Sequence, residues 1–298
     1  MSVLASTTAL AASGCWAVGA ILAERPSREL GSFRITRIQL VSSAPPLALL
    51  VSWTGGWGTV SLSHWPALLS STFLGVLLGN LAMMACLRRG GPRYMQLLMA
   101  LSPVWALVLS NLYLGENISL TEASGCVVTM LGIIIAIFFR KREIQVTKLE
   151  KPGGSLMPVI GFGLIASFCQ AVGFILLKPV MTDGMSPLAT SFLRTGIAAV
   201  LIVFLGFLPI RGARTETVAS LSLILRAVLP GLLGYVCAVS LLLFAFSQGH
   251  AGVVAVLGAT APVLMLPMLW LTGTGTIPWT AWVGAVVTTA GTAILITG

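Results

Sequence analysis

The chain carries one stretch of sequence twice, and this duplication limits its possible folds more than any other feature. Gly90–Phe139 recurs at Gly249–Thr297 under a shift of 159 residues, without a gap. The shift places five residues on identical partners: Gly90 on Gly249, Pro103 on Pro262, Gly125 on Gly284, Thr129 on Thr288 and Gly132 on Gly291. Glycine and proline have backbone roles that other residues replace poorly. The matches therefore indicate two copies of one structural unit.

The duplication covers nearly the whole chain. Under a shift of 154 residues, Ser13, Cys15 and Gly19 fall on Ser167, Cys169 and Gly173. In the next apolar run of each copy, Arg37 takes a place similar to that of Arg194. A charged segment that ends in Pro-Gly-Gly separates the copies. We therefore predict three parts: a first repeat at 1–139, a linker at 140–154 and a second repeat at 155–298.

The composition places these repeats in a membrane. Hydrophobic residues make up 57% of the chain and charged residues only 8%, with a mean hydropathy of +1.00, whereas soluble domains carry about 25% charged residues. The apolar runs are continuous and roughly 20 residues long, which suits membrane-spanning helices better than the alternating strands of a β-barrel. The sequence predicts an all-α membrane protein in contact with the lipid bilayer.

Ten runs are long and apolar enough to span a bilayer. We number them as spans 1 to 10, and they cover 7–23, 33–53, 65–87, 93–114, 120–139, 157–178, 187–209, 222–246, 251–272 and 278–297. Each repeat then holds five spans, so the second copy enters the membrane from the side opposite to the first. Inverted repeats of this kind are typical of secondary transporters, which bind substrate between the repeats near the midplane. We predict two inverted five-helix repeats around a central cavity.

The distribution of positive charge predicts the orientation. Fifteen of the 17 Lys and Arg residues lie in or beside the odd-numbered loops (1–2, 3–4, 5–6, 7–8), and the exceptions are Lys178 and Arg194. Because cytoplasmic loops are enriched in Lys and Arg, we predict that the odd-numbered loops are cytoplasmic and that both termini lie outside, in the periplasm. The net charge of +9 then matches an anionic leaflet, and no nucleic-acid partner is expected.

Several motifs are similar to those of the drug/metabolite transporter superfamily, in its ten-helix EamA-like form. They are the segment SGCWAVG at Ser13–Gly19, the arginine opening span 2, and span 4 centred on Pro103, followed by Leu114-Gly115-Glu116 and Gly125. The resemblance implies that spans 1, 3, 4, 6, 8 and 9 line the cavity while spans 5 and 10 brace it. The uncharged loop 2–3 departs from the common pattern, and it implies a member of opposite orientation. The second copy has Gly275 in place of Glu116, an asymmetry expected to bear on substrate choice.

The charged residues exclude one class of transporter. All eight acids lie in loops or at span ends. Small multidrug exporters of the superfamily carry a glutamate within their first helix, and none occurs here at 12–22. We therefore do not expect a proton-coupled exporter of lipophilic cations. Arg37, Arg194 and Lys178 lie near span ends, so we expect them to extend toward the interface; the alternative is attraction of a carboxylate or phosphate at the cavity.

Uncharged polar and aromatic residues form the candidate substrate site. Trp16 and Gln170 occupy equivalent positions in spans 1 and 6, each three residues after a serine and so on the same helix face. We add six more residues from spans 3, 4, 8 and 9: Asn80, Gln96, Ser102, Trp105, Tyr235 and Thr260. The alternative is that the amides bond one another and that the hydroxyls bond the preceding helical turn.

Pro103 and Pro262 each remove a backbone hydrogen bond within a span, which predicts a kink or a gating hinge beside the cavity. No catalytic motif occurs, so an enzyme is not expected. The five cysteines lie in apolar runs without a nearby histidine, which favours neither a metal site nor a cofactor.

Together these features predict a secondary active transporter, a carrier or exporter, that moves a small-molecule substrate across the inner (plasma) membrane by alternating access. Amino acids or similar zwitterionic or amphipathic solutes fit the neutral cavity best, with a coupling proton or ion left open. Two alternatives remain. One is a drug exporter or a vitamin-like uptake carrier of the same fold, and the other is a non-transporting scaffold or lipid-handling membrane protein.

Overall fold

A computed structural model describes residues 3–138, 156–207, 220–271 and 278–297. Throughout these residues the chain is helical and contains no strand. Ten segments are long and apolar enough to span a membrane: Val3–Ala23, Phe33–Thr54, Leu62–Met83, Leu97–Leu114, Leu120–Ile137, Leu156–Thr182, Pro187–Phe207, Leu221–Gln248, Ala251–Leu271 and Trp279–Thr297. The predicted fold class is confirmed, and each predicted span corresponds to one of these segments. The linker 140–154 lies outside the described residues.

The helices do not coincide one-to-one with the spans. The α-helices are Val3–Leu30, Ser32–Thr54, Trp65–Ser71, Gly79–Met99, Ser102–Leu114, Leu120–Phe138, Leu156–Ile175, Lys178–Thr182, Pro187–Phe207, Leu221–Gly231, Val239–Gln248, Ala251–Gly258, Ala261–Leu271 and Trp279–Thr297. The connection predicted at 88–92, between spans 3 and 4, is not a separate turn, because Gly79–Met99 remains helical through Gly90, Gly91 and Pro92. The expected turn there is a helical connection, and the apolar part of span 4 begins later, at Leu97.

Spans 5 and 10 pack against each other through small residues. A Cβ atom added at Gly132 would meet the backbone nitrogen of Thr288 and the carbonyl oxygen of Gly284, and one at Gly291 would meet the backbone of Thr129. Each repeat therefore presents a glycine to the other repeat's span. These contacts follow the general preference for small residues between membrane helices.

Spans 4 and 9 are each broken at the equivalent place. The helix Gly79–Met99 ends and Ser102–Leu114 begins, with Pro103 in its first turn. Likewise Ala251–Gly258 ends and Ala261–Leu271 begins, with Pro262 as its second residue. Proline lacks a backbone N–H and is tolerated at the start of a helix, so both prolines begin a new half-helix. Spans 4 and 9 are discontinuous helices, as in many transporters.

Spans 3 and 8 contain a second matched irregularity. Thr72–Leu78 and Leu232–Ala238 are π-helical, in corresponding parts of the two repeats. Wider helical turns of this type are rare and occur frequently at functional sites. Gly75 and Gly234, which the duplication superposes, lie within these segments.

Candidate functional site

A cavity of about 640 Å³ lies between the two repeats, and both repeats contribute to its wall. The six spans expected to line it do so. Three others contribute as well: Gln39 and Leu40 from span 2, Ile133 and Ile137 from span 5, and Arg194, Thr195 and Ala198 from span 7. Span 5 is therefore not only a brace, because the end of its helix reaches the cavity while its glycine face packs on span 10.

Most of the predicted site residues lie in the cavity wall. These are Trp16, Asn80, Ser102, Gln170, Tyr235, Pro103 and Pro262. The amides of Asn80 and Gln170 make no hydrogen bond to any described residue. Within the described residues they therefore do not join helices to one another, and both line the cavity.

Two predicted residues lie elsewhere. Thr260 is 2% exposed and does not line the cavity; its hydroxyl donates to the carbonyl of Leu257 at 2.8 Å and lies 2.9 Å from Ser13 Oγ of the first repeat. Trp105 also turns away from the cavity, with its ring edge-on to Phe168 of span 6 at 5.6 Å. Both side chains pack between spans instead of lining the cavity. The side chain of Gln96 lies outside the described part of the structure.

Arg194 was not included in the candidate substrate site, and a role at the cavity was considered for it only as the alternative. It does not extend to the interface, because it is only 6% exposed and lines the cavity. Its guanidinium carbon lies 4.4 Å from the centre of the Phe174 ring, in the cation–π range. Its counterpart Arg37 is half-buried and is not part of the wall. The charge distribution could have indicated the unusual position of Arg194, because it is one of two basic residues far from the odd-numbered loops.

The cavity reaches one end of the helix bundle. Its wall includes Ala23, Met83 and Ile137, which are the last residues of spans 1, 3 and 5. All three lie at the end that carries the odd-numbered loops. Toward the other end, the wall finishes at Phe174 and Phe246, whose rings stack at 5.8 Å.

Beyond these rings, a polar cluster joins the repeats at the end with even-numbered loops. We call Glu116, Glu122, Lys178 and His250 the even-loop cluster. Lys178 Nζ donates to the carbonyl oxygens of Phe246 at 2.5 Å and Gly249 at 2.6 Å, and lies 3.7 Å from Glu116 Oε1. These carbonyls end a helix of span 8, where a cation is favourable.

The glutamates of the cluster bind the start of span 9. Glu116 Oε2 accepts a 2.7 Å hydrogen bond from the backbone N–H of Ala251, where the helix begins and negative charge is favourable. Glu122 Oε1 lies 3.1 Å from His250 Nδ1. Its other oxygen accepts from Ser119 N, while Glu122 N donates to Ser119 Oγ, which is a capping box. Glu116 therefore makes contacts between the repeats and does not line the cavity.

More contacts between the repeats lie at the same end. The ring of Trp57 packs edge-on against Phe192 at 5.2 Å. The backbone N–H of Ser186 donates to Thr59 Oγ1 at 2.9 Å, and His64 Nε2 lies 3.7 Å from Asp183 Oδ2. The even-loop end is therefore closed by contacts that cross the repeat boundary.

Ten spans, two five-span repeats and a cavity between them define a multi-pass membrane protein of the transporter class. The model of the EamA-like transporter family matches residues 3–138 and 157–297, so the chain belongs to that family. One solved crystal structure is similar over 97% of this chain and 95% of the other, with a TM-score of 0.79 and 15% sequence identity. At that identity the likeness shows the fold alone. No curated protein matches the chain.

Proposed function

We propose that this chain is a secondary transporter that moves small amphipathic metabolites, amino acids among them, across the inner membrane by alternating access. The observation that carries the proposal is the cavity between the repeats, which reaches the odd-loop end and stops below the even-loop cluster. A binding site with access from one end, bounded by contacts that can break, is what alternating access requires. The family has members that transport, and this fits the proposed activity.

The composition of the cavity supports an amphipathic solute. Four methionines (Met83, Met95, Met99 and Met265) and the Phe174–Phe246 stack supply apolar wall, and methionine adapts readily to ligand shape. Polar groups are few and lie on different spans, as in most small-molecule sites. No carboxylate occurs among the described residues of the wall, which disfavours organic cations as substrates.

The two ends of the molecule differ in sequence. Under the repeat shifts, Glu116 corresponds to Gly275, His250 to Gly91 and Lys178 to Glu24. The charged residues of the even-loop cluster are therefore not repeated in the corresponding sequence of the odd-loop end. This asymmetry favours a resting conformation that is closed at the even-loop end, which we place outside the cell, and accessible from the cytoplasm.

Substitution of the wall should impair transport while substitution of a lipid-facing residue should not. We expect Trp16→Ala and Gln170→Ala each to lower the initial rate of counterflow about 10-fold, since each loses a contact or hydrogen bond worth about 1 kcal/mol or more. Trp53→Ala is the matched control, because Trp53 is 87% exposed on span 2. The measurement is uptake of labelled amino acids and organic acids into proteoliposomes preloaded with the same solute.

Each outcome of this assay separates the alternatives. Equal rates for the wall variants and Trp53→Ala would contradict the assignment of the cavity. Counterflow of vitamins or drugs but not of metabolites would favour the other transporter alternative. No counterflow across a broad panel would favour a scaffold or lipid-handling protein.

A further inference from the structure

The cavity contains one charged group that has no partner. Arg194 is nearly fully buried, and it lies in the wall beside Phe174. Its guanidinium makes no hydrogen bond or ion pair with any described residue, and its Nε atom is completely buried without a partner. Burying a cation without a counter-charge is costly, so this arrangement calls for a partner that the protein does not itself provide.

The described acids are occupied elsewhere. Each has a basic neighbour at an end of the bundle: Glu29 with Arg25, Glu116 with Lys178, Glu122 with His250 and Asp183 with His64. The wall itself includes no Asp, Glu, Lys or His among the described residues. Among the wall residues that the structure describes, Arg194 is therefore the source of net charge.

The surrounding backbone makes room for the guanidinium. A Cβ atom at Gly75 would lie 2.8 Å from Arg194 Nη2 and 3.0 Å from the Cα atom of Gly173. Because Gly75 and Gly173 have no side chains, spans 3 and 6 can approach closely and the guanidinium of Arg194 fits beside them at the wall. The ring of Phe174 covers one face of the guanidinium. A carboxylate in the cavity would therefore approach the edge of the group, where arginine can form two parallel hydrogen bonds.

We propose that Arg194 binds the carboxylate of the substrate, and that the preferred substrates are amphipathic organic acids carrying one negative charge. This assignment rests on the proposed transport function and names its substrate class. A single guanidinium balances a single carboxylate, whereas a phosphate dianion would need further cations that the wall lacks. The methionines and aromatic rings accommodate an apolar body.

The cavity should bind carboxylic acids more tightly than amino acids. An ammonium group in the cavity would find no carboxylate among the described residues of the wall, where polar side chains such as those of Asn80, Gln170 and Tyr235 are neutral. It would also lie in a cavity whose charged group is positive. An α-amino acid should therefore bind more weakly than the acid of the same shape that lacks the amino group.

The test uses three probes of matched shape: 3-phenylpropionate, its primary amide and phenylalanine. Purified protein in detergent is titrated with each, and binding is measured as ligand-induced protection from thermal unfolding. We expect 3-phenylpropionate to bind at least about 10-fold more tightly than the amide, since a hydrogen bond to a charged group is lost. Phenyl phosphate serves as the dianionic probe and should not bind more tightly than the carboxylate.

Arg194→Gln should weaken binding of 3-phenylpropionate by about 10-fold to 100-fold, and Arg194→Lys should restore part of it. Arg37→Gln, at the equivalent position outside the wall, is the matched control and should bind as the unaltered protein does. Without ligand, Arg194→Gln should unfold at the same temperature or higher, because the substitution removes an unpartnered buried charge. A clear drop in the unfolding temperature would indicate a structural role and contradict the proposal.

These experiments distinguish a failure of the binding proposal from a failure of the transport function. If binding requires the carboxylate and depends on Arg194 but no probe undergoes counterflow, the role of Arg194 in binding is supported and the transport function is contradicted. If solutes undergo counterflow but Arg194→Gln binds the acid as well as the Arg37→Gln control does, transport is supported and the role of Arg194 in binding the carboxylate is refuted. Tightest binding of the amide, phenylalanine or phenyl phosphate would also overturn it, and so would the absence of binding to the acid.

Discussion

Gly132→Ala is expected to destabilise the protein, although alanine favours a helix more than glycine does. The new Cβ atom would overlap the backbone nitrogen of Thr288 and the carbonyl oxygen of Gly284 in span 10. Backbone atoms cannot move aside as a flexible side chain can, so spans 5 and 10 must separate. Overpacking typically costs about 1–3 kcal/mol, and here it disrupts the interface that joins the last spans of both repeats. Thermal unfolding in detergent should show a lower midpoint and a reduced yield of monodisperse protein.

Gly161→Ala provides the matched control. Gly161 is also helical, but a Cβ atom there would find no atom within 4 Å. That substitution should leave the midpoint temperature unchanged or raise it. Helix propensity alone would increase the free energy of unfolding by up to about 1 kcal/mol. Equal effects of the two alanines would show that spans 5 and 10 do not approach as closely as described.

Lys178→Met is expected to open the even-loop end. The substitution keeps the apolar stem and removes the ammonium group, so the carbonyls of Phe246 and Gly249 lose their donor and Glu116 loses its counter-charge. Each hydrogen bond to a charged group contributes about 1.5–3 kcal/mol, enough to change a conformational equilibrium by about 10-fold or more. Leu177→Cys, placed at a fully buried position beside the cluster, reports the change as faster maleimide labelling in a background without native cysteines.

Glu29→Gln is the control for loss of an ion pair. The pair of Arg25 and Glu29 is short, at 2.9 Å, but both side chains are exposed, and exposed pairs contribute at most about 1 kcal/mol. Labelling of Leu177→Cys should not change in this variant. An unchanged labelling rate in Lys178→Met would mean that the cluster does not hold the even-loop end closed.

Much of the fold could be predicted from sequence because membrane spans are long and uniformly apolar. The duplication then supplied the glycines of spans 5 and 10 and the prolines of spans 4 and 9, whose roles depend on the backbone. The helical connection through Gly90, Gly91 and Pro92 was not predicted, since these residues usually mark turns and the basic residues around them hide any helical pattern.

The site was predictable in part. Trp16, Asn80 and Gln170 lie in the wall because polar residues within spans tend to face the interior of a bundle. Arg194 was expected at the interface because it lies near a span end, where a charged side chain usually reaches water. The burial of Arg194 depends on Phe174 of span 6 and on Gly75 of the other repeat, and such contacts leave no pattern in the local sequence.

The central claim is that the cavity between the repeats is a substrate site accessible from one side. Its most direct test is sided labelling of Met83→Cys, at the cavity end of span 3, in membranes of known orientation and in a background without native cysteines. Thr182→Cys, exposed at the even-loop end, reports the opposite side. We predict that an impermeant maleimide labels Met83→Cys only from the cytoplasm, that 3-phenylpropionate or a solute active in counterflow slows this labelling, and that Thr182→Cys reacts only from outside. Labelling of Met83→Cys from the outside, or labelling that no such solute slows, would contradict the account.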